Sequence, residues 1–173
     1  ELGRILGEIY LKMGILKNDV FKIAKRSDLI GKYLGHTAAK TQDMIDSCMG
    51  GVLFIDEAYS LGNSEGRDSF SKECLDTLNQ NLTENKGNFL CIIAGYKEAL
   101  QECFFSYNDG LNRRFPCRYT IDDYTASELR DIFFKLVKDI NWKIHKDAKI
   151  KLDFFENNMS SFMAWHVTTA KNF

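Results

Sequence analysis

The chain has 173 residues, a length that fits one domain, or one domain with part of a second, and excludes two full-sized domains. With 45% hydrophobic residues and a single proline it can bury a substantial core, so we expect a folded chain and not a disordered one. A formal net charge of -1 supplies no overall field that would concentrate nucleic acid or acidic lipid, and neither is expected as a partner.

The cysteines and the apolar stretches indicate the kind of cellular compartment that the chain suits. The chain contains five cysteines, an odd number without CxxC spacing, which predicts reduced thiols and not disulfides or a zinc site. These are Cys48, Cys74, Cys91, Cys103 and Cys117. No apolar stretch approaches the roughly 18 residues that span a bilayer. We therefore expect a reducing, cytoplasmic environment and no membrane association.

Hydrophobic periodicity in the first third of the chain alternates between the helical and the extended pattern. Glycines and capping residues separate the segments, as is typical of helix and strand ends. In order, the predicted elements are a helix from Leu2 to Met13 that ends near Gly14, a strand at Val20 to Ile23, a loop from Ser27 to His36, and a helix that Thr37 caps and Gly50 and Gly51 end.

The rest of the chain continues this alternation and begins with a continuous apolar run, as expected of a central parallel strand covered on both faces. A capping box followed by apolar residues at helical spacing predicts the last helix. The predicted elements are a strand at Val52 to Ile55, a loop around Gly62 to Gly66, a helix from Phe70 to Leu82, a strand at Phe89 to Ala94, a helix at Glu98 to Phe105, a loop at Asn108 to Arg114, a strand at Cys117 to Ile121 and a helix that Thr125 and Glu128 cap.

Strands that alternate with helices of about a dozen residues indicate βαβ units and a three-layer α/β fold with a mostly parallel sheet. Such sheets bind ligands at the carboxyl ends of their strands. We expect the α/β core to span residues 1–140. Strand-like runs stop there, and residues 141–173 are expected to form part of a small helical lid.

The strongest chemical signal is the pair Asp56 and Glu57 directly after the central apolar strand. One acid at that place can hold a magnesium ion through water, and the second can orient or deprotonate an attacking water, which is the Walker B arrangement. The alternative is that both acids begin a solvated loop, as acidic residues after a strand often do.

The neighbouring motifs favour the first interpretation. The chain carries a GxYxGHT..KT segment from Gly31 to Thr41, the segment GGVLFIDEAY from Gly50 to Tyr59, AGY from Ala94 to Tyr96, and Asp123 with Tyr124 after the last predicted strand. In this order and spacing the sequence resembles the AAA+ ATPases, which have a P-loop NTPase-like core. Within them it is similar to the CbbX and stage V sporulation protein K type. The resemblance covers nearly all of residues 1 to 140.

The resemblance implies specific roles at the nucleotide. Asp56 would hold Mg2+, Glu57 would polarise the hydrolytic water, and both would act on ATP. Arg114, which matches the family's arginine just before the last strand, would reach a neighbouring subunit's nucleotide as an arginine finger, since a guanidinium presents a charged planar fork to phosphate oxygens. That role implies a ring, with a homohexamer expected. For Arg113 and Arg114 the alternative is a surface pair. Tyr96 would bind or sense nucleotide, with packing as its alternative.

The loop between Gly31 and Gly35 carries the residues implied to contact substrate. Tyr33, between Lys32 and Leu34, matches the family's central-pore aromatic, which grips an extended protein partner by stacking and apolar contact. The alternative is a tyrosine packed on the surface. His36 is expected to be a loop residue or to help capping, because no other histidine stands at ligand spacing.

One motif that ATP binding requires is missing. No glycine-rich G-x-x-x-x-G-K-[ST] loop occurs in the sequence, and Gly31-Lys32 continues into Tyr33. Because that loop normally leads into the first helix, and Glu1 opens directly into a helical pattern without an initiator Met, we expect the motif immediately upstream in a longer protein. The chain alone is then expected to bind ATP poorly or not at all.

Two other classes remain as alternatives. An interaction or scaffold protein that keeps the fold without the phosphate loop would explain the missing motif. A nucleic-acid motor would also place an acid pair after an apolar strand, but Ala94-Gly95-Tyr96 stands where an S-A-T-like segment is typical of helicases. The near-neutral charge also argues against a motor.

Overall fold

Three short parallel strands form the centre of the structure, a computed structural model that describes residues 2–33, 35–62, 68–122, 124–145, 148 and 150–157. The strands are β1 (Phe21–Ala24), β2 (Val52–Ile55) and β3 (Leu90–Ile93). They lie in the order β1-β2-β3, so β2 is central, and both pairings are parallel. This confirms the predicted α/β fold with a parallel sheet.

Helices connect the strands and follow them. None of the described helices combines the length and the apolar character that crossing a bilayer requires. The α-helices are α1 (Leu2–Lys12), α2 (Arg26–Leu29), α3 (His36–Asp46), α4 (Ser69–Glu84), α5 (Lys97–Ala99), α6 (Asp109–Arg114), α7 (Ala126–Asp139) and α8 (Leu152–Asn157). Two 3-10 helices, Ala58–Leu61 and Phe105–Tyr107, and a π-helical segment, Leu100–Phe104, complete the described elements.

The burial of β2 explains its apolar sequence. Val52, Leu53 and Ile55 are almost fully buried, because neighbouring strands and helices cover both faces of this strand. Cys74 and the leucines of α4 and Ile45 of α3 belong to the same core. A central strand that must be apolar on both faces has no alternation, which is why its bounds could be predicted residue by residue.

Helix α1 packs against β2 through glycines and runs antiparallel to it. A Cβ atom added at Gly3 would lie 2.7 Å from Cδ2 of Phe54, and one added at Gly7 would lie 3.1 Å from Cγ2 of Val52. Since the earlier glycine of the helix faces the later residue of the strand, the helix begins at the carboxyl end of β2. The first turn of α1 therefore lies at the same sheet edge as the residues that follow Ile55.

The structure corrects two expectations in the segment after β1. The short helix α2 occupies the first residues of the expected loop from Ser27 to His36. Thr37 does not cap α3. Gly35, with φ of 81°, occupies the N-cap position, and the Thr37 hydroxyl accepts a hydrogen bond from the Gly31 amide at 3.0 Å. The threonine closes the preceding loop instead.

Two further corrections lie after β3. Residues 108–114 are not a loop but include helix α6, because the Asn108 side chain accepts a hydrogen bond from the Gly110 amide and caps it. The strand expected at Cys117 to Ile121 is not formed. These residues are exposed and pair with no strand of the described sheet, so their β-like composition finds no partner surface.

The chain divides into two compact units, Glu1–Arg118 and Tyr119–Phe173. The division precedes α7, whereas the core was expected to continue to residue 140. Within the second unit α7 packs on α8, with the rings of Phe133 and Phe155 at a centroid distance of 6.0 Å. The capping box of Thr125 and Glu128 at the start of α7 is confirmed. Residues 158–173 of the expected lid lie outside the described residues.

Gly62, in the segment that follows β2, lies against the backbone of Cys103. A substitution at Gly62 therefore tests how this segment packs. A Cβ atom at Gly62 would lie 1.6 Å from the carbonyl oxygen of Cys103, so Gly62→Ala must move one backbone against another. We expect a loss of about 3 kcal/mol in the free energy of unfolding, measured by urea denaturation. Gly14→Ala is the control, since Gly14 has φ of 72° and no neighbour within 4 Å. It should cost about 1 kcal/mol from backbone strain alone, and equal losses would contradict the packing.

Candidate active site at the carboxyl edge of the sheet

The residues that follow the three strands meet at one edge of the sheet. The backbone ladder continues past the strand ends, because the Asp56 amide donates to the Ala24 carbonyl at 3.0 Å and the Ala94 amide donates to the Ile55 carbonyl at 2.9 Å. The Ala58 amide then donates to the Ala94 carbonyl at 2.9 Å. These bonds fix the turn that carries Asp56 and Glu57 to both neighbouring strands.

Asp56 and Glu57 are both partly exposed at this edge. The Glu57 amide donates to Oδ1 of Asp56 at 3.1 Å, and Glu57 has φ of 50°, in the left-handed region that non-glycine residues rarely adopt. A carboxylate accepts several hydrogen bonds, so after the bond from Glu57 the Asp56 side chain has acceptor capacity for a cation or water. The tight turn directs two adjacent acids to the same edge.

Two tyrosines stand beside the acids. Tyr59, in the 3-10 helix after Glu57, has its ring centroid 5.9 Å from that of Tyr96, which follows β3 and is 53% exposed. Burial raises the pKa of Tyr59, and the nearby negative charge of Glu57 raises that pKa further. Tyr96 therefore lies at the acid edge, and Tyr59 is a neighbour that sequence reasoning did not single out.

Arg26 was also missed as a functional residue. Its guanidinium donates to the Ser60 carbonyl, to Oγ of Ser71 at 2.9 Å and to Oδ2 of Asp68, with which it forms an ion pair. Burial opposes ionisation of Asp68, but hydrogen bonds from Ser71, Arg26 and Phe70 outweigh it and lower the pKa of Asp68. Arg26 thus links the end of β1 to the turn after Glu57 and to the start of α4. The position of Arg26 just after strand β1 was the sequence feature that could have pointed to this role.

The loop between α2 and α3 carries the residues predicted to contact substrate. Tyr33 is 68% exposed, its ring lies edge-on to His36 at a centroid distance of 5.6 Å, and Lys32 is exposed as well. Leu34 lies outside the described residues. Behind the loop, the buried Thr41 donates its hydroxyl to the Leu29 carbonyl at 3.0 Å, and Lys40 donates to the Ile30 carbonyl at 3.1 Å. The K-T pair of the motif therefore anchors the loop.

Arg114 lies away from the acid edge. Its Nε and Nη2 donate to Oγ1 of Thr83, at 2.8 Å for Nε, and Nη1 donates to the Gly110 carbonyl at 2.8 Å. Thr83 is in the last turn of α4, just before the chain enters β3 at its amino end, whereas α4 begins beside Arg26 at the carboxyl edge. Arg114 is consequently held towards the opposite end of the sheet from Asp56 and Glu57. Arg113 is exposed.

The acid pair is not a metal cage. Within the part of the chain that the structure describes, no group of three or more His, Cys, Asp and Glu side chains is arranged to hold a metal ion. A cation at Asp56 would need further ligands from water or from a bound ligand, which is typical of magnesium sites that act with phosphates.

Comparison with known proteins decides the family. The profile of the ATPase family associated with various cellular activities (AAA) matches residues 8–121. The chain belongs to this AAA family. It is 51% identical over 160 residues to a cfxQ-like protein of Acanthamoeba polyphaga mimivirus, covering 91% of this chain and 39% of the relative.

Two further relatives specify the type of AAA protein. Stage V sporulation protein K of Bacillus subtilis is 37% identical over 151 residues, which cover 87% of the chain and 46% of the relative. The chloroplastic cbbX homolog of Guillardia theta is 33% identical over 168 residues, with 96% and 45% covered. The predicted membership of the CbbX and stage V sporulation protein K type is confirmed, and the chain spans less than half the length of these relatives.

The ion pair of Arg26 yields a stability prediction. Arg26→Met removes donors to a carboxylate, a hydroxyl and a carbonyl that are partly buried, and should lower the free energy of unfolding by about 2 kcal/mol. Arg130→Met is the matched control, because the partner of Arg130 among the described residues is the neighbouring, exposed Asp131, and it should change stability by less than about 0.5 kcal/mol. Chemical denaturation at neutral pH measures both.

The pH dependence of this difference follows from Asp68. Its pKa is lower in the folded state than the ordinary 3.8, so its contribution to stability is present above that value and is lost as pH falls through the lowered pKa. The difference between wild type and Arg26→Met should therefore shrink in acid. A difference that stays constant down to acid unfolding would contradict the role assigned to the ion pair.

Proposed function

We propose that the full-length protein containing this chain is an ATPase that couples ATP hydrolysis to the remodelling of a protein partner, in a ring of identical subunits. The observation that carries the proposal is that Asp56 and Glu57 share one sheet edge with the start of α1. Membership of the AAA family supports nucleotide binding at this edge.

The residues present fit magnesium and a triphosphate. Asp56 offers a hard carboxylate oxygen, the ligand type that magnesium prefers, and the amide groups at the start of a helix favour phosphate nearby. When bound, magnesium ATP supplies the phosphoanhydride bond to be hydrolysed. We assign Asp56 to hold the ion, Glu57 to orient and deprotonate the attacking water, and Tyr96 to contact nucleotide.

The position of Arg114 supports action between subunits. Because Arg114 is held near the last turn of α4, at the other end of the sheet from its own acid pair, it cannot serve the site of its own chain from there. We assign it as an arginine finger that reaches the nucleotide of a neighbouring copy, which requires it to leave Thr83 and Gly110. A closed ring, with six subunits expected, gives every copy such a neighbour.

The segment Lys32, Tyr33 and Leu34, of which Lys32 and Tyr33 are described and exposed, is assigned to the substrate. An exposed aromatic side chain flanked by a lysine and a leucine can grip an extended polypeptide through stacking and apolar contact, with little dependence on its sequence. The names of the relatives point to different processes, so the partner is proposed only by this chemistry. Residues 141–173, of which the structure describes helix α8, are assigned to part of a lid.

Replacement of the candidate base tests the enzymatic proposal. In the full-length protein, Glu57→Gln should reduce ATP hydrolysis about 10²- to 10⁴-fold, because water loses its proton acceptor, while magnesium-dependent binding of an ATP analogue persists. Glu84→Gln, an exposed substitution at the end of α4, is the control and should leave hydrolysis intact. Unchanged hydrolysis in Glu57→Gln would refute the role of this acid. Absence of analogue binding in the wild type would favour the scaffold alternative.

A pair of variants tests the substrate loop. With carboxymethylated casein as an unfolded probe, Tyr33→Ala should abolish the stimulation of ATP hydrolysis, whereas Tyr33→Phe should retain most of it because the ring remains. Stability should change by less than about 0.5 kcal/mol in both, since Tyr33 is exposed. Equal stimulation in Tyr33→Ala and wild type would show that this ring does not contact the probe.

A further inference from the structure

Arg26 is in direct contact with the short helix that follows Glu57. Arg26 is the first residue of α2, just after β1, and its Nη1 donates to the Ser60 carbonyl at 2.5 Å. Ser60 lies in the 3-10 helix Ala58–Leu61, for which Glu57 occupies the N-cap position. The last carbonyls of a helix lack partners within the helix, and a cationic side chain is a favourable donor to them. Arg26 therefore holds the far end of the turn that carries the acid pair.

The guanidinium of Arg26 is itself held by the start of α4. Nη1 also donates to Oγ of Ser71 at 2.9 Å, and Nη2 pairs with Oδ2 of Asp68 at 2.5 Å. Ser71 is only 3% exposed, and its hydroxyl donates to the same Asp68 oxygen at 2.8 Å. Because a guanidinium is planar, contacts at both terminal nitrogens fix its direction. The bond from Arg26 to the Ser60 carbonyl is therefore fixed as well.

The turn needs such a restraint because Glu57 has a costly backbone conformation. Its φ of 50° and ψ of 45° lie in the left-handed region, which a residue with a side chain keeps only when its surroundings enforce it. The Ala58 amide donates to the Ala94 carbonyl at 2.9 Å, and the Ser60 amide donates to the Glu57 carbonyl at 2.8 Å. These bonds restrain the turn from the β3 side and from within, and the bond from Arg26 restrains it from the β1 side.

We propose that Arg26 is a positioning residue for ATP hydrolysis, which keeps Glu57 in place at the sheet edge by holding the helix that follows it. This inference rests on the proposed function of Glu57. The restraint acts on the backbone, so it does not depend on the contacts of the Glu57 side chain. Without the restraint the left-handed turn relaxes, and the carboxylate moves away from the attacking water.

Arg26→Met in the full-length protein tests the proposal, at a temperature where the variant is folded. It should lower kcat for ATP hydrolysis about tenfold, the order of magnitude of one hydrogen bond from a charged group. KM for ATP should stay within about twofold of wild type. The reason is that Asp56, assigned to the magnesium ion, precedes the turn and is fixed by its own amide bond to the Ala24 carbonyl. Wild-type kcat in Arg26→Met, or a loss confined to KM, would overturn the proposal.

Asn18→Ala is the matched control, because Asn18 holds the turn that enters β2 as Arg26 holds the turn that leaves it. Nδ2 of Asn18 donates to the Met49 carbonyl at 2.9 Å, and its Oδ1 accepts from the Val20 amide at 3.1 Å. These contacts lie at the amino edge of the sheet, so the variant should lose stability and keep both kcat and KM. An equal fall of kcat in Asn18→Ala would contradict the positioning role, since kcat would then follow general stability.

Ser71→Ala is a milder variant that retains Arg26 and the turn. It removes one of the acceptors that hold the guanidinium, so it should lower kcat by less than Arg26→Met does. The two effects should not add, because both act through the contact of Arg26 with Ser60. Fully additive losses in the double variant would show that Arg26 does not act through this contact.

Hydrogen exchange of the 173-residue chain keeps the inference separate from the ATPase proposal. The Ser60 amide reports on the turn, because it donates to the Glu57 carbonyl. Arg26→Met should speed the exchange of this amide about tenfold, since the turn opens more often. An unchanged rate would overturn the inference even if the full-length protein hydrolyses ATP. A faster rate, together with no hydrolysis by the full-length wild type, would refute the proposed function alone.

The Lys17 amide is the internal control for the exchange measurement. It donates to the Gly50 carbonyl at 2.8 Å, at the opposite edge of the sheet from the acid pair. In Arg26→Met it should exchange as in wild type. In Asn18→Ala the Lys17 amide should exchange faster and the Ser60 amide should not. Equal acceleration of both amides in Arg26→Met would indicate general loosening and would count against a specific restraint of the turn.

Discussion

The parallel pairing of β2 with a strand on each side determines where chemistry can occur in this chain. Each pairing spans only four residues, yet the ladder continues through the Asp56 and Ala94 amides and returns through the Ala58 amide. Without these bonds two acids after an apolar run would be an ordinary solvated turn. With them, Asp56 and Glu57 keep a fixed place beside the end of β3 and the start of α1.

The parts that the sequence predicts well are those decided by burial along a short stretch of chain. The bounds of β2 follow from its continuous apolar run, because a strand covered on both faces has no polar position. The capping box of α7 is equally local, since Thr125 and Glu128 are three residues apart. The place of the acid pair at the carboxyl edge follows from the parallel sheet alone.

The parts that the sequence misses depend on partners far along the chain. Arg26 acquires its role from Asp68, 42 residues later, and Arg114 is held by Thr83, 31 residues earlier. The segment Cys117 to Ile121 has the alternation of a strand, but alternation needs a partner strand, and Tyr119 and Ile121 are 72% and 74% exposed. Sequence reasoning did not single out Tyr59 for the same reason, because its neighbours Gly95 and Tyr96 follow a different strand.

The separation of Arg114 from the acid pair gives the proposed ring a physical reason to hydrolyse ATP only when assembled. Within one chain the guanidinium is satisfied by the Thr83 hydroxyl and the Gly110 carbonyl, which are neutral acceptors. Phosphate oxygens carry negative charge and bind a guanidinium fork more strongly than neutral groups do. In the proposed ring the arginine therefore exchanges its internal partners for a neighbour's nucleotide only where a triphosphate is present. Contacts within the chain thus restrain the arginine until both a neighbouring subunit and its nucleotide are in place.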